Sequence, residues 1–185
     1  MKKTIFSLCL ILLSFTLIAQ DSKQSQEPLP SGYNNITLGM TLDQAKEALK
    51  SNPQFGYHGD RDVSLVPYQN QVLIETDADK GYGTIFLTNC WFQFYKDKLY
   101  IITINVNTDK MDYYSMFVTL KNKYGEPTSL DPEKSIWKND SITMILEKPL
   151  SIKYIDNSTY DEIIKQSNVE ISGEELSREM FLEEF

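Results

Sequence analysis

The chain has 185 residues with 26 acidic and 18 basic side chains, a formal net charge of −8 and a single histidine. That balance argues against nucleic acid or an anionic membrane surface as partner, since both need clustered cations, and it suits a neutral or basic partner. One histidine and two cysteines exclude zinc sites built from several such ligands and leave no disulfide framework.

The N-terminus reads as an export signal. Lys2 and Lys3 form a positive region, and Ile5 to Ile18 is an apolar stretch broken only by Ser7, Ser14 and Thr16, too short to span a bilayer as a mature helix. Cleavage is expected after Ala19 or Gln20, placing the mature protein in the periplasm or outside the cell. Losing residues 1–20 removes two lysines and leaves 16 basic and 26 acidic side chains. It also removes Cys9, so Cys90 has no intramolecular partner and reads as a small buried hydrophobe. Cys9 stands near the start of the apolar stretch rather than its end, so neither a lipid anchor nor any other stable membrane anchor is expected. Residues 21–33, "DSKQSQEPLPSGY", are polar and proline-containing and read as a disordered linker. Residues 34–185 read as one domain with C-terminal helices.

In "ITLGMTLDQAKEALK", Thr41 and Gln44 form a capping-box pattern, and Leu42, Ala45, Ala48 and Leu49 recur at helical spacing until Asn52-Pro53 stops the helix. Residues 54–70 hold Gly56, Gly59 and Pro67 without a sustained period and read as a long loop. Strands follow at 71–76, 84–95 and 98–106, the last two joined by a tight turn at Lys96-Asp97. A second helix is expected over 109–124, with Asp109 near its start and Gly125 after its end, then three short strands at 135–138, 141–147 and 151–155. Terminal helices are expected at 160–167 and 173–184.

The order is a helix and three strands, twice. It predicts an α+β fold, a repeated helix plus three-stranded antiparallel meander, with helices packed on one face of an antiparallel sheet and the other face free. Strand alternation then sorts the rings of "NCWFQFYKDKLYIITINVN". Cys90, Phe92 and Phe94 share an apolar side with Ile102, Ile104 and Val106 of the next strand, while Trp91, Gln93 and Tyr95 share the mixed side with Ile101, Thr103 and Asn105. Trp91, Gln93, Tyr95 and Thr103 are thus candidate binding residues, because amphipathic rings are enriched where proteins meet. Tyr57, His58, Asp60, Arg61 and Asp62 would supply a polar rim. A competing expectation makes Trp91 and Tyr95 a second apolar layer beneath the C-terminal helix, packed with Met180, Phe181 and Phe185.

Two stretches carry a family resemblance: "LGMTLDQAKEAL", and seventy residues later "LKNKYGEPTSLDPEKSIW". A Gly-Met-Thr before a capped helix, then a helix ending Tyr-Gly-x-Pro with a Trp on the following strand, resembles the superfamily of small outer-membrane assembly lipoproteins and the secreted β-lactamase inhibitor protein. The resemblance spans roughly residues 36–155. It implies two helices on one face of an antiparallel sheet and a role in binding other proteins. The chain departs from it in lacking a lipobox, in the 54–70 insertion and in the tail after residue 156.

Motifs for chemistry are sparse. There is no Gly-x-Ser-x-Gly elbow and no phosphate-cradling glycine loop, and "ETDADKGYG" fails the calcium-loop pattern at its fifth, sixth and twelfth positions. No cofactor or metal is expected. Asp60 and Asp62 around Arg61 remain a candidate carboxylate pair for a hydrolase. The leading expectation is a non-catalytic protein-binding or adaptor domain of the cell envelope. The alternatives are that hydrolase and a structural periplasmic domain with no specific ligand.

Overall fold

The computed structural model describes residues 26–66, 71–78 and 85–182. The expected signal segment, the first five linker residues, Asp79 and Phe185 lie outside the described residues. Strands β1 (Gly32–Tyr33) and β2 (Ile36–Thr37) form a small hairpin ahead of α1 (Leu42–Lys50). Two 3-10 turns, Pro53–Phe55 and Asp60–Asp62, lead into β3 (Val63–Val66), β4 (Gln71–Thr76), β5 (Leu87–Tyr95) and β6 (Lys98–Val106). Then come α2 (Tyr113–Tyr124), β7 (Ser129–Leu130), β8 (Lys134–Lys138), β9 (Ile142–Glu147), β10 (Ser151–Asp156) and α3 (Asn157–Leu182). The fold is mixed α and β, dominated by an eight-stranded antiparallel sheet in the order β3-β4-β5-β6-β10-β9-β8-β7.

Local chemistry explains the start points. Thr41 Oγ1 accepts from Gln44 N at 3.3 Å while Gln44 Oε1 accepts from Thr41 N at 3.0 Å, the reciprocal box read from the sequence. At the β5–β6 turn, Lys96 and Asp97 both take positive φ, 47° and 60°, the backbone whose twist matches a two-residue antiparallel hairpin. Asp97 Oδ1 then accepts from Leu42 N at 2.9 Å, so the turn also satisfies a free amide in the first turn of α1.

One face of the sheet carries the core. Ile74, Phe92, Ile102, Tyr154, Met144 and Trp137 lie in one row across β4, β5, β6, β10, β9 and β8, all 5% exposed or less. Ala45 and Leu49 of α1 and Leu120 of α2 join the same cluster. Phe117 of α2 meets the Trp137 ring at 6.2 Å, and the Tyr113 hydroxyl donates to Leu146 O at 3.3 Å. Cys90 is buried on this face, and burial pushes its thiol pKa up to about 12.

Several expectations change. Two further strands, β3 and β7, put four strands after each helix where three were expected. β3 falls inside the stretch read as a loop; its four residues are too few to show a period, and Leu65 is 74% exposed at the sheet edge. Residues 26–33, read as linker, lie on the domain: Glu27 N donates to Lys123 O at 3.0 Å and Leu29 packs on the core. The second helix starts at Tyr113, because Asp112 rather than Asp109 caps it, accepting from Ser115 N at 2.8 Å. The two terminal helices are one, since a single internal glycine costs about 1 kcal/mol, whereas a break would leave two sets of unpaired backbone groups.

The chief correction concerns faces. α1 and α2 cover the core face, but α3 starts over the opposite one. Lys98 Nζ lies 3.3 Å from Thr159 Oγ1, Lys96 Nζ 2.8 Å from Glu162 Oε1, and the Tyr95 hydroxyl donates to Gln166 Oε1 at 2.6 Å. The helix therefore covers the hairpin end of that face.

Two predictions follow from the two-sided sheet. Phe92→Ala should cost about 3–5 kcal/mol in a urea titration, the range for an emptied buried phenylalanine site, and Trp91→Ala clearly less. Cys90 should resist alkylation by iodoacetamide in the folded protein and react readily in denaturant, because attack requires a thiolate that burial suppresses.

Candidate functional site: the sheet face around Trp91

Opposite the core, alternation along β5 sets Trp91, Gln93 and Tyr95 on one side. Register supplies their neighbours: Glu75, Trp91, Thr103 and Lys153 form one row across β4, β5, β6 and β10, and Leu73, Gln93, Ile101 and Ile155 the next. Trp91 is half-buried, and its indole Nε1 donates to Glu75 Oε1 at 2.9 Å, which holds the ring in one orientation. Gln93 is half-buried, and its Oε1 accepts from the Tyr100 hydroxyl at 3.4 Å.

Two of the four expected face residues are not available at the surface. Tyr95 is 6% exposed, edge-on to Tyr100 at 6.5 Å and closed over by α3 through Gln166. Thr103 is 1% exposed, a short side chain between Trp91 and Lys153 in its row. The competing expectation of a covered layer thus holds for Tyr95 at the hairpin end. Farther along the helix Met180 and Phe181 are 61% and 58% exposed.

The rim residues sit beside β4. Phe55 anchors their loop in the core, 5.7 Å edge-on from Phe92, and Gly56 takes a φ of 62° so close to β4 that an added Cβ would stand 2.3 Å from Asp77 O. Tyr57 is half-buried, and its hydroxyl, buried without a hydrogen-bond partner among the described residues, has its pKa raised by desolvation. His58 N donates to Asp62 Oδ2 at 2.7 Å, and Arg61 Nε lies 3.6 Å from Asp62 Oδ1.

Asp60 turns elsewhere. It is 90% exposed and pairs with Lys46 of α1 at 2.9 Å, and that hydrogen bond holds its carboxyl below the usual range. Asp62, by contrast, lines a hollow of about 310 Å3 with Arg61, Ser64, Glu75 and Asp77. The two carboxylates of the expected hydrolase pair are thus engaged by different partners, and only one faces this hollow.

Glu75 is the residue the sequence reading missed. It bonds Trp91 and also lines the Arg61–Asp62 hollow, so it joins the aromatic face to the polar rim. The pairing register of 71–76 against 84–95 would have pointed to it. Trp91 itself separates two more hollows along β5, one of about 240 Å3 with Gln71, Leu73 and Gln93, and one of about 350 Å3 with Asn89, Asn105 and Ser151. Among the described residues, no group of three or more His, Cys, Asp or Glu is placed to hold a metal, and no helix is long and apolar enough to cross a membrane.

A family model described as the TP0088 domain matches residues 31–166, from the hairpin before α1 to the early turns of α3. No curated protein and no solved structure matches the chain. The match takes in more than half of the sequence and every strand of the sheet, and the chain therefore belongs to the TP0088 domain family.

Proposed function

We propose that this is an exported protein of the cell envelope that acts by binding another protein, with the sheet face around Trp91 as its contact surface. The observation that carries this reading is the state of Trp91. It is a half-exposed ring on a rigid strand, oriented by Glu75 and set between hollows, while the hairpin end of the same face is closed by α3. Large aromatic side chains held this way dominate binding energy at interfaces. The acidic groups beside it, Glu75, Asp62 and Asp77, complement a partner that presents a basic patch.

The strand order is consistent with two copies of one helix-plus-meander unit, α1 with β3–β6 and α2 with β7–β10, joined where β6 meets β10. That reading, and the likeness to the assembly lipoproteins and the β-lactamase inhibitor protein, supports a binding role. Export rests on Lys2, Lys3 and the apolar stretch behind them.

Affinity capture from an envelope extract tests the contact surface. Wild-type protein should retain a partner that a Trp91→Ala/Gln93→Ala variant of equal folded content binds at least roughly 2 kcal/mol more weakly, about thirtyfold in Kd. Neutralising Glu75 and Asp62 should mainly slow association and flatten its salt dependence. Equal retention by the Trp91 variant would refute the surface. N-terminal sequencing of the native protein should find a start within a residue or two of Asp21, and an intact Met1 would refute export.

A further inference from the structure

We propose that the hollow on the Asn89 side of Trp91 binds a neutral, hydroxyl-rich ring, the chemistry of a saccharide. It measures about 350 Å3, near the lower end of ligand pockets and suited to one or two sugar rings. Its lining includes Thr88, Asn89, Trp91, Asn105, Thr108 and Ser151, and no residue lining it carries a formal charge. The Arg61–Asp62 hollow has the opposite character, with an arginine and three carboxylates.

Each of these groups matches a feature of a sugar. A carboxamide offers both a donor and an acceptor, as does every sugar hydroxyl, so amides and hydroxyls pair with the rim of a pyranose in either sense. An indole supplies the flat apolar surface on which the C–H face of such a ring packs. Phosphates, nucleotides and carboxylates would meet no compensating cation here.

Asn105 carries the argument furthest. Its Nδ2 is buried and has no hydrogen-bond partner among the described residues. A buried donor left unserved carries a desolvation penalty that an apolar residue of similar size would not incur. The fold itself does not use this donor, and Asn105 lines the hollow, so a turn of its carboxamide would present Nδ2 to a ligand acceptor. Asn107 at the edge of the hollow is different, because its Oδ1 accepts from Asp109 N and its Nδ2 donates to Ile85 O. Thr88 Oγ1 lies 3.3 Å from both Asn89 Oδ1 and Asn105 O, which ties the lining of β5 to that of β6.

This inference shares Trp91 with the protein-binding reading but stands on Asn105, which does not line the Gln71–Gln93 hollow, so loss of sugar binding in Asn105→Leu with partner capture intact tells the two apart. The test is a titration of the mature chain, labelled with nitrogen-15, by chitobiose, maltose and lactose up to about 50 mM, with glycerol as control. At least one disaccharide should move the Trp91 indole and Asn105 carboxamide resonances along a saturating curve, with glycerol leaving them in place. Asn105→Leu should weaken that binding at least about tenfold while holding or raising Tm. Should Asn105→Leu not fold, Thr108→Val, at an exposed position, carries the test with a severalfold loss. The proposal is overturned if none of the three sugars moves both resonances, if glycerol moves them equally, or if the folded variant binds as tightly as the wild type.

Discussion

The antiparallel pairing of β6 with β10, from Asn105–Ser151 to Ile101–Ile155, is the seam that joins β3–β6 and β7–β10 into one sheet. Without it the chain would have two four-stranded pieces, each with an additional open edge and half a core. With it, Ile102 and Ile104 lie beside Tyr154 and Ile152, and α1 and α2 close over a common apolar surface. A pairing between segments this far apart forms against loop-closure entropy, so it depends on the apolar burial it brings.

The seam also determines where the rest of the molecule goes. β10 runs directly into α3, so the position of β10 decides which part of the opposite face α3 covers. Asp156 Oδ1 accepts from Thr159 N, and the buried Asn157 donates from Nδ2 to Asn139 O, which together set the direction of the helix as it leaves the sheet. The helix reaches Tyr95 and Lys96 at the hairpin and leaves Trp91, four residues back along β5, half-exposed. The candidate site is thus the part of the second face that the seam places outside the reach of α3.

Features with local causes were legible in the sequence. The Thr41–Gln44 box, the Lys96-Asp97 turn and the strand bounds at 71–76 and 98–106 each depend on a few neighbouring residues, and so does the sorting of Phe92 from Trp91. Features caused by distant partners were not. Tyr95 has the pattern of an exposed ring and is buried because a residue seventy-one positions away closes over it. Thr103 is polar and buried because its neighbours across the sheet are long. Glu75 reads as an ordinary solvated carboxylate until register places it beside Trp91. Of the candidate residues, Trp91 and Gln93 keep their expected places. Among the rim residues, Arg61 and Asp62 join the site through Glu75, whereas Asp60 is drawn off by Lys46.

The central claim is that one sheet face is core and the other, at Trp91, is open. The two tryptophans report on it directly, since Trp91 stands on the second face and Trp137, 2% exposed, on the first. Acrylamide quenching of the folded protein should resolve an accessible and a protected emission, and Trp91→Phe should abolish the accessible one alone. If Trp91 is as protected as Trp137 until the chain unfolds, the second face is covered and the account fails.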